Sequence, residues 1–433
     1  MKWICLGALS LAATWSGFAD KPAGSLDPIF KTVPFDSWSE KDSSARFRWS
    51  THISSPVLSQ HQRLLIDFKI QVDGAELVKR RGQGRVQLLI QLRDQAGALY
   101  QNHNSMTLED VKPELSRSYS IYTQNALVAP GDYEVSLGWF VTATGEHAVV
   151  RRPLHVDPLA HDPLPDAWRD LPSVAFLPEE LTASWYGSAA GGRLNLPVET
   201  PRPVRIELLV NASRTEQMAQ PSSGGSRLSA SILIPVINVL SQIKPGNGSL
   251  NLAMLDLERQ RVGFEQKAVR ELDWTKLLDT LSADNPNTID LKSLERRQQN
   301  AQFFVSEIRH RVQAGVGVEG LHVLIVLSGM MAFDRADLTP MRDAPDPNCK
   351  VFYIRYRSIT HLPSRVANPF FPAGAARRPI GRRGPVSQDP ALQPRDDLFV
   401  LIKSLDPRLF DVATPAEFRK ALANIMSEIA RLV

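Results

Sequence analysis

Cysteine is almost absent from this sequence, which has two cysteines in 433 residues. Cys5 lies in an amino-terminal stretch that we interpret below as a cleaved segment, so the mature chain keeps Cys349 alone. A chain with one cysteine cannot form an internal disulfide bond. We therefore expect stability to come from apolar burial, which a chain of this length can supply.

Strong net charge and long apolar runs are also missing. The formal net charge is +4, which is small for this length and argues against nucleic-acid binding by the whole protein. After the first residues, no segment is long and apolar enough to span a bilayer. Hydrophobic residues make up 43% and charged residues 22%, as in ordinary globular proteins, and the length suggests two or three domains.

Common catalytic motifs are absent as well. The nine histidines form no HExxH motif, and neither GxSxG nor a GxGxxG after a strand occurs. Ser328 follows an apolar strand but lacks the leading glycine of a nucleophile elbow. The stretch "GSAAGGR" lacks the Lys and Ser/Thr of a P-loop. We therefore predict a protein that is not an enzyme, with no catalytic residues and no cofactor.

The first residues indicate export. In "MKWICLGALSLAATWSGFA", basic Lys2 precedes an apolar stretch from Trp3 to about Trp15, and small residues include Ala19. This pattern is typical of a secretory signal peptide, with cleavage expected near Ala19. A membrane anchor is the alternative, but the apolar run is shorter than the ~20 residues that a spanning helix needs. We expect a periplasmic or extracellular protein without a transmembrane segment in the mature chain.

Composition divides the rest of the chain into segments. Residues 46–157 read as short strands separated by turn residues such as Asp73-Gly74, which predicts an all-β, immunoglobulin-like sandwich. Tyr133 follows a Pro-Gly turn and begins a strand, which resembles the tyrosine corner of such sandwiches. The full expected division is a signal peptide (1–19), a flexible leader (20–45), the sandwich (46–157), an extended connector (158–202) and a second domain (203–433).

The second domain alternates strands and helices. "VRIELLV", "LHVLIVLSG" and "CKVFYIRY" are apolar strands, and "TPAEF" begins the last helix, with Thr414 as N-cap and Glu417 completing a capping box. Such alternation predicts an α/β fold, a doubly wound, mostly parallel, Rossmann-like sheet. An insertion at 358–397 interrupts this domain.

The order of elements from residue 203 resembles the von Willebrand factor type A domain. The signal peptide and sandwich also match exported bacterial proteins related to that family. The resemblance implies a metal-ion-dependent adhesion site on three loops, of which the first normally reads Asp-x-Ser-x-Ser. The matching positions here are Asn211, Ser213 and Thr215 in the first loop, Thr288 in the second and Ser328 in the third. Both carboxylates of the family's site are replaced, so the site is degenerate.

Neutral ligands hold Mg²⁺ poorly, because this ion gives up water reluctantly and is normally bound through carboxylates. Arg214, inside the first loop, adds repulsion. We therefore predict no bound metal, and we expect the amide and hydroxyls to form loop-capping hydrogen bonds. A metal-ion-dependent adhesion protein with an atypical site remains the alternative.

The insertion at 358–397 is rich in proline and arginine. Its arginines Arg377, Arg378, Arg382 and Arg383 are candidates for contact with an anionic partner, unless the segment is a solvated loop. Taken together, these features predict an exported, non-enzymatic protein-binding or scaffold protein. Its partner would contact the loops at 211–226, 284–290 and 328–349. An enzyme whose motifs are not recognisable is a second alternative.

Overall fold

The computed structural model describes residues 26–38, 48–178, 181–188, 192–213, 230–282, 299–315, 320–333, 338–343, 348–357 and 396–432. The first part contains the strands β1 (Trp49–Ile53), β2 (Val57–Leu58), β3 (Leu64–Asp73), β4 (Arg85–Asp94), β5 (Leu99–Thr107), β6 (Tyr119–Val128), β7 (Gly131–Val141), β8 (His147–Val156) and β9 (Val174–Phe176), with one short helix, α1 (Gly74–Lys79). One sheet has the order β1-β3-β6-β9, with β2 paired to β3, and the other has the order β5-β4-β7-β8. All of these pairs are antiparallel.

The two sheets share one apolar core. Burial alternates along β3 without interruption, as expected for a strand with one covered face. Phe68 on β3 and Trp139 on β7 are both fully buried in the same cluster, which therefore joins the two sheets. The predicted sandwich is thus observed. Asp73-Gly74 is not a turn, because the Asp73 side chain accepts a hydrogen bond from the Ala75 backbone and caps α1.

Residues 26–38, within the expected leader, pack on the sandwich. The side chains of Phe35 and Trp38 are buried against Leu89 and Val149 on the outer face of the β5-β4-β7-β8 sheet. Gly138 permits this contact, because a Cβ there would lie 2.8 Å from the Phe35 ring. Aromatic burial holds this part of the chain in place.

The second part continues with α2 (Ala183–Gly187), β10 (Leu196–Val198), β11 (Val204–Asn211), α3 (Ala230–Leu240), β12 (Ile243–Pro245), β13 (Gly248–Asp256), β14 (Arg261–Gln266), α4 (Trp274–Ser282), α5 (Asn300–Gln313), β15 (Leu321–Gly329), β16 (Cys349–Tyr356), α6 (Asp397–Ile402), β17 (Arg408–Val412) and α7 (Pro415–Arg431). A six-stranded sheet has the order β14-β13-β11-β15-β16-β17. Its β13–β14 hairpin is antiparallel, and its other pairs are parallel.

The local prediction for the start of the last helix is confirmed. The capping box of Thr414 and Glu417 is present at the start of α7, with Pro415 at its first position. Strand β17 was missed, because "RLFDV" is short and carries Arg408 and Asp411. Its place is set by pairing with β16, which is a tertiary contact.

The predicted fold class, a doubly wound and mostly parallel α/β sheet, is wrong for this chain. Eight strand pairs in the described residues are antiparallel and five are parallel. The structure consists mostly of antiparallel sheets. The prediction placed the parallel sheet in residues 203–433, after an all-β sandwich, but antiparallel pairs outnumber parallel ones over the described residues. Strands joined by short turns pair antiparallel, and such strands predominate here.

A buried junction connects the sandwich to α7. Gln62, in the turn before β3, accepts a hydrogen bond on its carbonyl from the Trp168 indole at 2.6 Å and donates from its amide to the Pro415 carbonyl at 3.0 Å. Arg419 on α7 forms two hydrogen bonds with Asp162, at 2.6 and 2.8 Å. The guanidinium also lies 4.7 Å from the centre of the Trp168 ring. These contacts hold the two parts of the chain together.

Candidate functional site

The predicted first and third loops meet at the carboxyl ends of β11 and β15. The Asn211 amide donates a hydrogen bond to the Ser328 hydroxyl at 2.9 Å and lies 2.9 Å from the Met331 sulfur. Its oxygen accepts from the Ser213 backbone at 3.1 Å. The sheet thus brings together three of the five predicted residues. Thr215 and Thr288 lie outside the described residues.

Hydrogen bonds within the fold occupy these polar groups. The Ser213 hydroxyl accepts from the Leu257 backbone at 2.7 Å, and the Ser328 hydroxyl donates to the Gly329 carbonyl at 2.7 Å. Asn211, Ser213 and Ser328 are all buried. The loop-capping hydrogen bonds expected for these residues are therefore present, and the cluster carries no charge. Within the residues described, no group of three or more His, Cys, Asp or Glu side chains could hold a metal ion.

Two carboxylates that the sequence did not point to lie beside this edge. Asp396 accepts hydrogen bonds from the Tyr353 hydroxyl at 3.2 Å and from Arg355 at 3.4 Å. Burial raises the pKa of Asp396, and these hydrogen bonds only partly offset that effect. Asp397 accepts from the Phe333 backbone at 2.7 Å. Both carboxylates thus anchor the start of α6 to the sheet. The arginines Arg377, Arg378, Arg382 and Arg383 lie outside the described residues.

A cleft of about 380 Å³ lies at the end of the six-stranded sheet where β13 begins, opposite to the end that carries Asn211 and Ser328. The volume falls in the range of ligand pockets. Tyr186 on α2 stacks on Trp274 at the start of α4, with ring centres 4.2 Å apart and planes at 21°. Ile243 and Leu250 continue this apolar wall.

Three cations surround the cleft. Arg193 pairs with Glu271 at 3.1 Å and donates to the Arg270 carbonyl at 3.0 Å. The side chains of Lys244 and Arg270 are exposed and form no ion pair with any part of the chain that the structure describes. Two cations therefore face the cleft without a compensating acid.

Neutral hydrogen-bond donors add to this positive character. The Tyr186 hydroxyl has no hydrogen-bond partner among the described residues, and burial raises its pKa, so it remains a donor. Asn238 accepts from Gln242 at 2.9 Å through its oxygen, which leaves its NH₂ group available. The cleft can accordingly bind an anionic group whose neighbouring part is apolar.

Sequence reasoning missed this cleft. Its residues are spread from 186 to 274 and share no motif. A signal that could have found it is the aromatic pair Trp185 and Tyr186 in the connector, because aromatic residues in such a segment indicate packing on a domain surface.

Comparisons with known proteins add little. No protein-family model and no curated protein matches the chain. One solved structure, an X-ray structure of the Northeast Structural Genomics Consortium target SoR45, is 17% identical to this chain. The match covers 28% of this chain and 92% of that protein, with a TM-score of 0.17. A Bordetella pertussis protein provisionally named ApaA is 9% identical to this chain. The match covers 26% of this chain and 97% of that protein, again with a TM-score of 0.17.

These likenesses are too slight to support an argument about fold or function. None of the comparisons points to a von Willebrand factor A domain. Among the described residues, no helix has both the length and the apolar character needed to cross a membrane.

Proposed function

We propose that the protein is an exported, non-enzymatic binding protein that holds an acidic segment of a partner protein in the cleft beside Tyr186 and Trp274. One observation carries the proposal. Lys244 and Arg270 border an aromatic wall, and neither forms an ion pair within the described residues, since the nearby Glu271 is paired with Arg193. An acidic peptide with an apolar side chain would neutralise these cations while its apolar part covered the wall.

Two further features support this role. The signal-like amino-terminal stretch favours export, and the arginines at 377–383 add positive charge to the chain. The junction around Arg419 holds the sandwich against the second part of the chain, which suits a protein that presents two surfaces in a fixed arrangement. The protein partner expected from the sequence would thus present an acidic segment with an apolar side chain to the cleft.

Fluorescence anisotropy with a labelled, acetylated Asp-Glu-Phe-Asp-Glu peptide tests the proposal. We expect saturable binding at low salt that weakens as salt is added. Exposed ion pairs contribute roughly 0.2–1 kcal/mol each, so the double variant Lys244→Gln/Arg270→Gln should bind about tenfold more weakly. The neutral peptide Asn-Gln-Phe-Asn-Gln should bind poorly.

A matched control removes the same charge elsewhere. Lys112→Gln/Arg117→Gln alters two exposed cations on the sandwich and should leave the peptide affinity unchanged. Equal weakening of peptide binding in both double variants would show that the net charge of the protein, and not the cleft, determines the affinity. Equal binding of the acidic and neutral peptides would contradict the proposal directly.

A further inference from the structure

Strand β6 has an open edge, defined here as Tyr119–Gln124. On one side, β3 pairs with β6 along its whole length, from Tyr119 to Val128. On the other side, β9 pairs only with Ala126–Val128, and a bond from the Leu177 backbone to the Asn125 carbonyl extends that contact by one residue. Among the described residues, no strand covers the remainder of this edge.

Register shows which backbone groups face outward. The Asn125 carbonyl points away from β3, since it accepts from Leu177. Asp67, directly opposite on β3, points the other way, since its carbonyl accepts from Ser54. In an antiparallel ladder, the direction of both backbone groups alternates along the strand. Tyr119, Ile121 and Thr123 therefore direct their N–H and C=O groups outward.

These outward groups have no partner within the described residues. The side chains of Tyr119 and Ile121 are also uncovered, with 62% and 49% of their surface exposed. An uncovered edge of this kind pairs readily with another strand.

Nothing in this edge discourages such pairing. The sequence "YSIYTQ" contains no charged residue and no proline. Other edges in the structure do contain such residues: β8 carries Arg151, Arg152 and Pro153, and β17 carries Arg408 and Asp411. Charges and prolines are the usual means by which proteins protect sheet edges. The edge strands β1 and β5 also lack charges and prolines, but neither contains an exposed large apolar residue, whereas β6 has Tyr119 and Ile121.

We propose that a second copy of this chain pairs its own β6 edge antiparallel to this one, about a two-fold axis at Ile121. Ile121 then faces Ile121 of the second copy, and Tyr119 faces Thr123 of that copy. Each of these is a hydrogen-bonded pair, because all three residues direct both backbone groups outward. Aromatic and β-branched side chains opposite one another also stabilise adjacent strands.

The lack of charge along the edge favours a second copy over an unrelated strand. The nearest charged residues on β3, Asp73 and Lys69, lie one strand away from the contact, and Asp73 is already paired with Arg48 at 3.2 Å. With the axis at Ile121, two identical neutral edges meet, and neither brings a charged group that the contact would have to desolvate. An unrelated strand would have to supply a matching neutral and apolar edge by itself.

Disulfide trapping tests both the pairing and its register. Facing residues of a hydrogen-bonded pair have Cα atoms ~5.5 Å apart, within disulfide range. Ile121→Cys should therefore form a covalent dimer under mild oxidation. Tyr119→Cys is the matched control, because this residue is more exposed but faces Thr123 of the second copy, and it should cross-link at least tenfold more slowly. Equal rates for the two variants would overturn the proposed register.

Sedimentation velocity on the purified protein tests the dimer itself. We expect a concentration-dependent dimer that weakens at least tenfold in Ile121→Pro, which removes an outward N–H that the ladder with β3 does not use. Ile121→Lys adds a charge to the edge and should weaken the dimer to the same extent. If Ile121→Pro is misfolded, Ile121→Lys alone tests the dimer. Val400→Lys, at another exposed apolar residue, should remain dimeric. A monomeric wild-type protein, or dimers that persist in a folded Ile121 variant, would refute the proposal.

Discussion

Replacing Arg419 should weaken the contact between the sandwich and α7 and lower the free energy of unfolding. The Arg419 side chain is 2% exposed and forms a bidentate pair with Asp162, whose side chain is 12% exposed. Its guanidinium also donates to the Leu164 carbonyl at 2.8 Å and lies over Trp168. In the variant Arg419→Met the length of the side chain is roughly kept while every one of these contacts is lost.

The expected loss is large because a buried carboxylate remains. Removing one partner of a buried ion pair typically costs about 3–5 kcal/mol. The lost cation–π contact with Trp168 adds roughly 0.5–1 kcal/mol. Since Asp162 retains some contact with solvent, we expect a total near the lower end, about 3–4 kcal/mol at neutral pH. Arg419→Lys keeps the charge but not the two parallel hydrogen bonds, and should lose about half as much.

The pH dependence identifies the ion pair as the cause. Burial alone would raise the pKa of Asp162, but the hydrogen bonds from Arg419 and from the Leu164 backbone outweigh burial and lower it. A carboxyl with a lowered pKa stabilises the folded protein above its unfolded pKa, and that contribution is lost as the pH falls through the folded pKa. The difference between wild type and Arg419→Met should therefore shrink between about pH 5 and about pH 2.

Urea unfolding of both proteins, followed by circular dichroism at about pH 7 and about pH 3, measures this difference. The single variant Asp162→Asn and the double variant Asp162→Asn/Arg419→Met complete a mutant cycle, and we expect a coupling energy above about 1 kcal/mol. A deficit below about 1 kcal/mol, or one that is equal at both pH values, would refute the reasoning.

Two further predictions concern the interior. Glu207 is 3% exposed and contacts Asn251 at 2.6 Å, Arg205 at 2.8 Å and the buried Arg311 at 3.6 Å. Glu207→Gln should therefore lower the free energy of unfolding in urea by about 3 kcal/mol. The control Glu265→Gln, at an exposed partner of Arg311, should lower it by less than about 1 kcal/mol. Tyr133 donates its hydroxyl to the Ala129 carbonyl at 2.8 Å, so Tyr133→Phe should lower stability by about 1 kcal/mol, while Tyr119→Phe at an exposed site should not; equal midpoints for Tyr133→Phe and wild type would contradict this.

Local patterns identified many of the elements correctly. Turn residues and alternating apolar positions predicted the sandwich strands, and Tyr133 forms the hydrogen bond expected of a tyrosine corner. The end of the chain predicted its own capping box, because Thr414 and Glu417 are three residues apart and interact within one helical turn. The side chains at Asn211 and Ser213 form the expected capping bonds, which link neighbours in sequence or adjacent strands.

Predictions that depended on the whole chain were less successful. The fold class was wrong because local patterns identify single elements, whereas the balance of parallel and antiparallel pairs depends on how all of the sheets assemble. The cleft at Tyr186 and Trp274 was missed because residues far apart in sequence form it. No pattern in one segment indicates which distant segment will face it.

The amino-acid sequence by itself determined most of the sandwich strands, the apolar strands of the second part and the capping of the last helix, because these features depend on interactions over a few residues. The tertiary structure alone decided that β17 pairs with β16, that Arg419 meets Asp162, that two cations face an aromatic wall, and that one edge of β6 stays open. Each of these depends on the packing of segments separated by tens to hundreds of residues, and such contacts form only when the chain folds as a whole.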